Sequence, residues 1–132
     1  MESSSTDSQA TRTRTLTLVM REDGILHGVA LPNSQQSLED ARENLECALR
    51  LGDGKRVPLL LDIRTTGTLS REARLYYAGE DGARAVSGLA MVADSAFTRV
   101  VGNLFIRLAK ANFPVRLFAT TDEATTWLHE NT

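Results

Sequence analysis

The segment 57–63 constrains the fold more than any other part of this chain. It reads Val-Pro-Leu-Leu-Leu-Asp-Ile, a nearly continuous apolar run instead of an alternation of apolar and polar residues. A strand with this pattern is covered on both faces, as at the centre of a sheet with parallel neighbours. Because such sheets carry helices on their faces, the segment predicts an α/β fold.

Turn and helix signals place the other elements around this strand. Leu16, Leu18 and Met20 alternate as in a half-buried strand, and Glu-Asp-Gly at 22–24 predicts a turn into a second strand at 25–31. The elements that follow are a helix after Ser37, the strand at 57–63, a helix after Ser70, a strand at 86–93, a helix after Asp94 or Ser95, a strand at 115–119 and a helix after Thr120. The order β-β-α-β-α-β-α-β-α predicts a mixed, mostly parallel five-stranded sheet with an N-terminal antiparallel hairpin and four helices.

Residues 1–14 differ in composition from the rest of the chain. Ser and Thr predominate there, which predicts a disordered N-terminal tail, whereas residues 15–131 form one predicted α/β domain. The tail lacks the apolar segment of a secretory signal, and no part of the chain approaches the roughly 18 apolar residues of a membrane span. We therefore expect a cytoplasmic protein with no membrane span.

The residues that carry chemistry exclude several classes of function. A formal net charge of −2 argues against a nucleic-acid binder, which needs a basic surface. With Cys47 as the only cysteine and two histidines, we expect neither a disulfide framework nor a metal site. Cys47 lies opposite Leu38 on its predicted helix and should face solvent. Phosphate-binding glycine motifs are absent and no nucleophile pairs with a base, so we expect no cofactor and no enzymatic activity.

Polar side chains collect where the predicted parallel strands end, which is where α/β sheets usually meet their ligands. Asp62 ends the buried strand, and we expect Arg64 or loop N–H groups to hold its carboxylate and fix the loop that follows. The predicted interaction rim consists of Asp62, Arg64, Thr65, Arg71 and Arg74.

The helix after Ser95 supplies a second candidate contact surface. Its predicted core stripe is Phe97, Val100, Val101, Leu104 and Leu108. The face predicted to be exposed and to bind a partner carries Arg99, Phe105, Ile106 and Lys110.

Charge is also segregated along the chain, since residues 64–116 carry eight basic and four acidic side chains, and residues 117–132 carry no basic and three acidic ones.

Several of these segments together resemble a known family. The segments that carry the resemblance are 59–64 (LLLDIR), 70–74 (SREAR), 102–103 (GN), 113–118 (FPVRLF) and the closing Ala124, Trp127 and Leu128. With the predicted element order, they resemble small bacterial STAS-like domains, which include anti-sigma-factor antagonists and are related to CRAL-TRIO lipid-binding domains.

The resemblance implies a non-enzymatic regulatory or scaffolding domain that binds a protein partner in a signalling pathway. In phosphorylated members the switch is a serine at the start of the helix after the third strand, so Ser70, Thr68 and Thr66 are the candidate switch positions here. Three alternatives stay open. One is a carrier of a small lipophilic ligand, based on the resemblance and on the aromatic residues Tyr76, Tyr77, Phe97, Phe105 and Trp127. Another is a homodimeric structural module. The last in rank is an enzyme that uses Asp62 and Ser70, because no paired base and nucleophile can be located.

Overall fold

A sheet of mostly parallel strands forms the centre of the protein in the computed structural model, which describes residues 10–132. The strands within this range are β1 (Thr11–Arg12), β2 (Leu16–Met20), β3 (Leu26–Ala30), β4 (Gln35–Gln36), β5 (Val57–Asp62), β6 (Thr68–Leu69), β7 (Val86–Val92) and β8 (Val115–Phe118). Six of them form one sheet in the order β1-β2-β3-β5-β7-β8, whereas β4 and β6 pair as a separate small sheet. The first three strands are antiparallel, and β3, β5, β7 and β8 are parallel.

Helices cover both faces of this sheet. They are α1 (Leu38–Leu51), α2 (Arg71–Ala78), α3 (Glu80–Ala85), α4 (Ala96–Ala109) and α5 (Thr121–Asn131). Helix α5 packs against β5, β7 and β8, where Leu60, Ala90 and Leu128 are fully buried. The other four helices pack on the opposite face, with α1 on β2, α3 on β7 and α4 on β8.

The predicted α/β class and the mostly parallel sheet are confirmed, but the numbers of strands and helices differ. Four helices are capped by a side-chain oxygen of the residue that precedes them, as the sequence predicts. The capping residues are Ser37, Ser70, Ser95 and Thr120. Helix α3 was not predicted because its sequence, Glu-Asp-Gly-Ala-Arg-Ala, has no apolar period. Strands β1, β4 and β6 were not predicted because each has two residues and pairs through the backbone.

The ordered domain begins before Thr15. Strand β1 pairs with β2, and Thr13 is buried. Arg14 donates from Nε and Nη2 to the two carboxylate oxygens of Asp40, each at 2.6 Å. Residues 11–14, predicted as part of the tail, therefore belong to the domain, while residues 1–9 lie outside the described part of the chain.

A buried hydrogen-bond network joins this N-terminal segment to α1 and α2. Asn44 accepts from the Thr13 hydroxyl at 2.6 Å and donates to Thr15 Oγ1 at 3.0 Å and to the Tyr77 hydroxyl oxygen at 2.8 Å. The Tyr77 hydroxyl donates in turn to Gln36. Buried polar groups need such partners because an unpaired one keeps its full desolvation cost.

The expectation that Cys47 faces solvent is wrong. Its side chain is buried, because α1 contacts α2 and α3 as well as β2 and is therefore covered on more than one side. Burial raises the pKa of the Cys47 thiol. Among the described residues, no helix has both the length and the apolar character that a membrane span requires.

Replacing Asp40 by Asn should reduce the sensitivity of the fold to acid. The hydrogen bonds from Arg14 hold the pKa of Asp40 well below its usual range. A carboxylate with a depressed pKa stabilises the fold above its unfolded-state pKa, and this contribution is lost as the pH falls below that value. In urea unfolding between about pH 7 and about pH 3, the free energy of unfolding should fall more steeply for the wild type than for Asp40→Asn.

The control is Glu39→Gln, which removes an exposed carboxylate from the same helical turn. This variant should keep the steep pH dependence of the wild type. Equal slopes for Asp40→Asn and the wild type would show that the pair with Arg14 does not stabilise the fold.

Candidate interaction surface

The end of β5 is held by an ion pair between Asp62 and Arg64. The backbone N–H of Arg64 donates to Asp62 Oδ1 at 3.0 Å, and Arg64 Nη2 donates to Oδ2 at 2.7 Å. Burial raises the pKa of Asp62, but the hydrogen bonds from Arg64 outweigh burial and leave that pKa below its ordinary value. Asp62 is therefore a carboxylate engaged in fixing the loop, as the sequence predicts.

The other rim residues are spread over several elements. The Thr65 hydroxyl donates to the carbonyl of Ala30 at 2.7 Å, which ties the loop after β5 to β3. Arg71 is exposed at the start of α2, and Arg74 is half-buried one turn later. Within the described residues no hydrogen bond joins Arg71 or Arg74 to the Asp62–Arg64 pair. The predicted rim residues therefore do not form one hydrogen-bonded cluster.

The three candidate switch hydroxyls lie in different environments. Ser70 is half-buried, and its Oγ accepts from the backbone N–H of Ala73 at 3.0 Å, so it caps α2. Thr68 is exposed on β6, and half-buried Thr66 lines an internal cavity. Helix capping accounts for Ser70 on its own, so its role as a switch stays a prediction.

Helix α4 is rotated relative to the sequence prediction. Four of the five side chains predicted as its core stripe are exposed: Phe97 by 54%, Val100 by 55%, Leu104 by 42% and Leu108 by 51%. Their spacing places them on one face of the helix. We call these four side chains the α4 face. Contiguous apolar surface of this kind marks contact sites, whereas single exposed apolar residues do not.

The opposite side of α4 packs against the sheet through small residues and one aromatic ring. A Cβ on Gly102 would lie 2.8 Å from Leu117 Cδ1, so a larger residue there would require the Leu117 side chain to shift. Phe105 and Thr98 are buried beside it, and Ile106 is half-buried against the core. The predicted exposure of Phe105 is therefore wrong, and Ile106 is a packing residue more than a contact residue. The mid-helix glycine is the sequence signal that identifies the buried side.

The charged side chains of α4 are all cations, of which Arg107 lies beside the α4 face and Arg99 and Lys110 lie further round the helix. Arg99, Arg107 and Lys110 are exposed, as predicted for Arg99 and Lys110, and the segment 96–110 contains no Asp or Glu. Apolar and aromatic side chains beside arginines are the composition typical of protein interfaces. This face therefore suits a partner that is apolar at its centre and acidic at its margin.

An apolar cavity lies beneath α4. Helices α1, α3 and α4 lie over β2, β7 and β8, and Leu59 and Leu61 of the intervening strand β5 are only half-buried. The cavity has a volume of about 80 Å³, and its lining includes Leu61, Met91, Val101, Phe105, Tyr77 and Asn44. Every described residue that lines it is uncharged. The aromatic residues predicted to bind a ligand do not lie together. Tyr77 and Phe105 line the cavity, whereas Trp127 lies on the opposite face of the sheet.

A second concave surface, missed at the sequence level, runs along α5 on the other side of the sheet. This α5 groove has a volume of about 630 Å³, and its lining includes Arg116, Phe118, Asp122, Glu123, Thr126, Trp127 and Glu130. The Phe118 and Trp127 rings lie 5.7 Å apart and form its apolar floor. Its three carboxylates belong to the acidic block that the charge distribution reveals.

Comparisons with known proteins agree with this architecture. The family described as "Domain of unknown function (DUF7793)" matches residues 19–132, and no curated protein matches the chain. An uncharacterised Shewanella loihica protein of the DUF3478 family, with a SpoIIAA-like fold, has a TM-score of 0.56 at 16% identity, covering 86% of this chain and 91% of its own. The fold is therefore SpoIIAA-like, that is, STAS-like, as the sequence resemblance predicts. A protein of unknown function from Arthrobacter sp. FB24 is 27% identical, with a TM-score of 0.33 and coverage of 85% and 97%.

Two phenylalanines on α4 test the orientation of the helix. Phe105→Ala should lower the free energy of unfolding by about 3–5 kcal/mol, because it empties a buried site. Phe97→Ala makes the same chemical change on the exposed face and should cost less than about 1 kcal/mol. Urea unfolding of both variants measures the difference. If Phe97→Ala proved the more destabilising, the helix would have the orientation that its apolar period predicts.

Proposed function

The chain belongs to the family of the domain of unknown function DUF7793, and we propose that it is a non-enzymatic regulatory domain that binds a protein partner on the α4 face. The observation that carries this proposal is the exposure of four large apolar side chains, about half of each, on a single helix face. Leaving such a patch in water is unfavourable, and a partner that covers it regains the free energy of apolar burial. A SpoIIAA-like fold fits a regulatory domain of this kind.

The strand-end rim supports the non-enzymatic part of the proposal. Among the described residues, Arg64 donates to the Asp62 carboxylate and the Ser70 hydroxyl oxygen caps α2, and no hydrogen bond joins the two side chains as a base and a nucleophile. A signalling role at a cytoplasmic location belongs to the same proposal, with Ser70, Thr68 and Thr66 as its switch positions. Of the three, Thr68 is the one that a modifying enzyme reaches without displacing a packed side chain.

Leu104→Asp should weaken binding of the protein partner, because it places an unpaired charge at the centre of the apolar face. Truncating a central interface residue commonly costs 2 kcal/mol or more, which corresponds to roughly a 30-fold increase in Kd. The partner would be captured by crosslinking in the native host, identified by mass spectrometry and purified. Its Kd for each variant would then be measured by isothermal titration calorimetry.

The matched control is Asn103→Asp, which adds the same charge at the adjacent exposed position of α4. It should change Kd less than about threefold, since surface changes outside the contact have small effects. Unchanged affinity in Leu104→Asp would overturn the assignment of the α4 face. Loss of affinity in Arg71→Glu together with unchanged affinity in Leu104→Asp would place the contact at the rim instead.

The cavity supports a second candidate function, the binding of a small apolar ligand. Its uncharged lining favours a neutral molecule, because a carboxylate or an ammonium group buried there would lack an ionic partner. The volume of about 80 Å³ is smaller than the roughly 150 Å³ of a cavity that holds benzene in another, engineered protein. The buried part of such a ligand is therefore limited to a few carbon atoms.

Val101→Phe should abolish retention of this ligand, because Val101 lines the cavity and a larger side chain fills the space. Val100→Phe makes the same change at the exposed neighbouring position and should retain the ligand. Each protein would be purified from its host, extracted with organic solvent and analysed by mass spectrometry. An empty extract from the wild type would count against the carrier function, as would equal retention by both variants.

A further inference from the structure

The partner of the α4 face can be named more closely from the distribution of charge over the two sides of the sheet. We infer that the α4 face of one copy of this chain docks into the α5 groove of a second copy, so that copies associate head to tail. This inference rests on the proposed function, because it uses the same α4 face.

The two surfaces are complementary in charge. The segment 96–110 carries three cations and no carboxylate, whereas residues 117–132 carry three carboxylates and neither Lys nor Arg. Asp122, Glu123 and Glu130 are all exposed along the α5 groove. The groove also contains one cation, Arg116, whose guanidinium carbon lies 5.5 Å from the centre of the Phe118 ring. This position leaves the three carboxylates as the dominant charge of the groove.

The two surfaces also match in polarity. The α4 face is a row of apolar side chains, and the α5 groove is a shallow, open depression whose lining includes the Phe118 and Trp127 rings. Both rings are only partly buried. An apolar helix face laid into such a groove places apolar atoms at the centre of the contact and opposite charges at its margin, which is the usual arrangement of a specific interface.

Like-with-like association is disfavoured by the same charges. A two-fold contact between α4 faces would bring the Arg107 side chains that flank the two apolar rows together, with no carboxylate from either helix. A two-fold contact between α5 grooves would likewise bring six carboxylates together. Like charges in contact are strongly unfavourable, so the charge pattern selects the crossed pairing.

The position of the two surfaces determines the form of the assembly. Helix α4 packs on one face of the sheet and α5 on the other. A copy bound at α4 through its α5 groove therefore leaves its own α4 face free for a third copy. A head-to-tail contact of this kind grows into open chains or larger rings instead of a closed dimer.

Sedimentation velocity on the purified full-length protein tests this arrangement. The weight-average mass of the wild type should rise beyond that of a dimer with increasing concentration and should fall as salt is added, because exposed charges are screened beyond about 3 Å at about 1 M salt. Leu104→Asp blocks the α4 face, and Thr126→Arg places a cation on the exposed surface of the α5 groove. Each variant alone should sediment as a monomer.

A mixture of the two blocked variants gives the decisive result. Thr126→Arg retains an intact α4 face and Leu104→Asp retains an intact α5 groove, so together they should form a one-to-one complex that cannot grow. Glu22→Arg, a charge reversal in an exposed turn outside both surfaces, should assemble like the wild type. Circular dichroism confirms that each variant is folded, and Val100→Asp provides a second block of the α4 face.

Three outcomes would overturn the inference. The first is a wild type that stays monomeric at millimolar concentration, and the second is a dimer that Thr126→Arg does not disrupt. The third is a mixture of blocked variants that stays monomeric. None of these results contradicts the proposed function, which is decided by the affinity of Leu104→Asp for a different protein captured in the host.

Discussion

The architecture depends on covering both faces of the parallel strands β5 and β7. Side chains that alternate along β5 point to opposite sides, and the two sides are covered to different extents. Leu60 faces α5 and is fully buried, whereas Leu59 and Leu61 face the layer of α1–α4 and are half-buried. One helix laid across the middle of the sheet therefore closes its face, while the helices over β2, β7 and β8 leave β5 incompletely covered on the other face. The cavity and the exposed α4 face are both consequences of that placement, because a helix lying over β8 instead of β5 turns part of its apolar surface away from the sheet.

The central strands and the helix starts could be predicted from the sequence because each depends on local chemistry. An apolar run such as 57–63 has no stable place outside a sheet covered on both faces. A serine or threonine at a helix start accepts a hydrogen bond from a backbone N–H of the same helix. The orientation of α4 could not be predicted from apolar period, because this helix has two apolar sides. The richer side, with Phe97 and Leu104, is exposed, and the side that packs is defined by Gly102, where close approach matters more than hydrophobicity. The helical spacing of apolar residues shows which side of a helix has the most apolar surface. Which side packs against a strand depends on how closely the two backbones can approach.

The candidate site shows the same division between local and tertiary information. The partnership of Asp62 with Arg64 spans two residues and could be predicted, since a carboxylate at a buried strand end needs a nearby donor. The burial of Cys47 could not be predicted, because it depends on α2 and α3 packing beside α1. The α5 groove had a sequence signal in its acidic block, but its concave form arises only when Phe118 of β8 packs against Trp127 of α5. The charge of a segment can be predicted from its sequence. The surface on which those charges lie depends on how the helices pack against the sheet.

The strand-end rim and the α4 face are connected through one packed side chain. Ile63 lies between Asp62 and Arg64, is buried, and donates its backbone N–H to the carbonyl of Val92 at 3.0 Å. Its Cδ1 would lie 3.5 Å from a Cβ placed on Gly102, so it packs beneath α4 at the point where the helix comes closest to the sheet. Packed interiors have little free volume to absorb a displacement. A displacement of Ile63 would therefore reach α4 at Gly102. The rim and the α4 helix are thus joined through the packing of this one side chain.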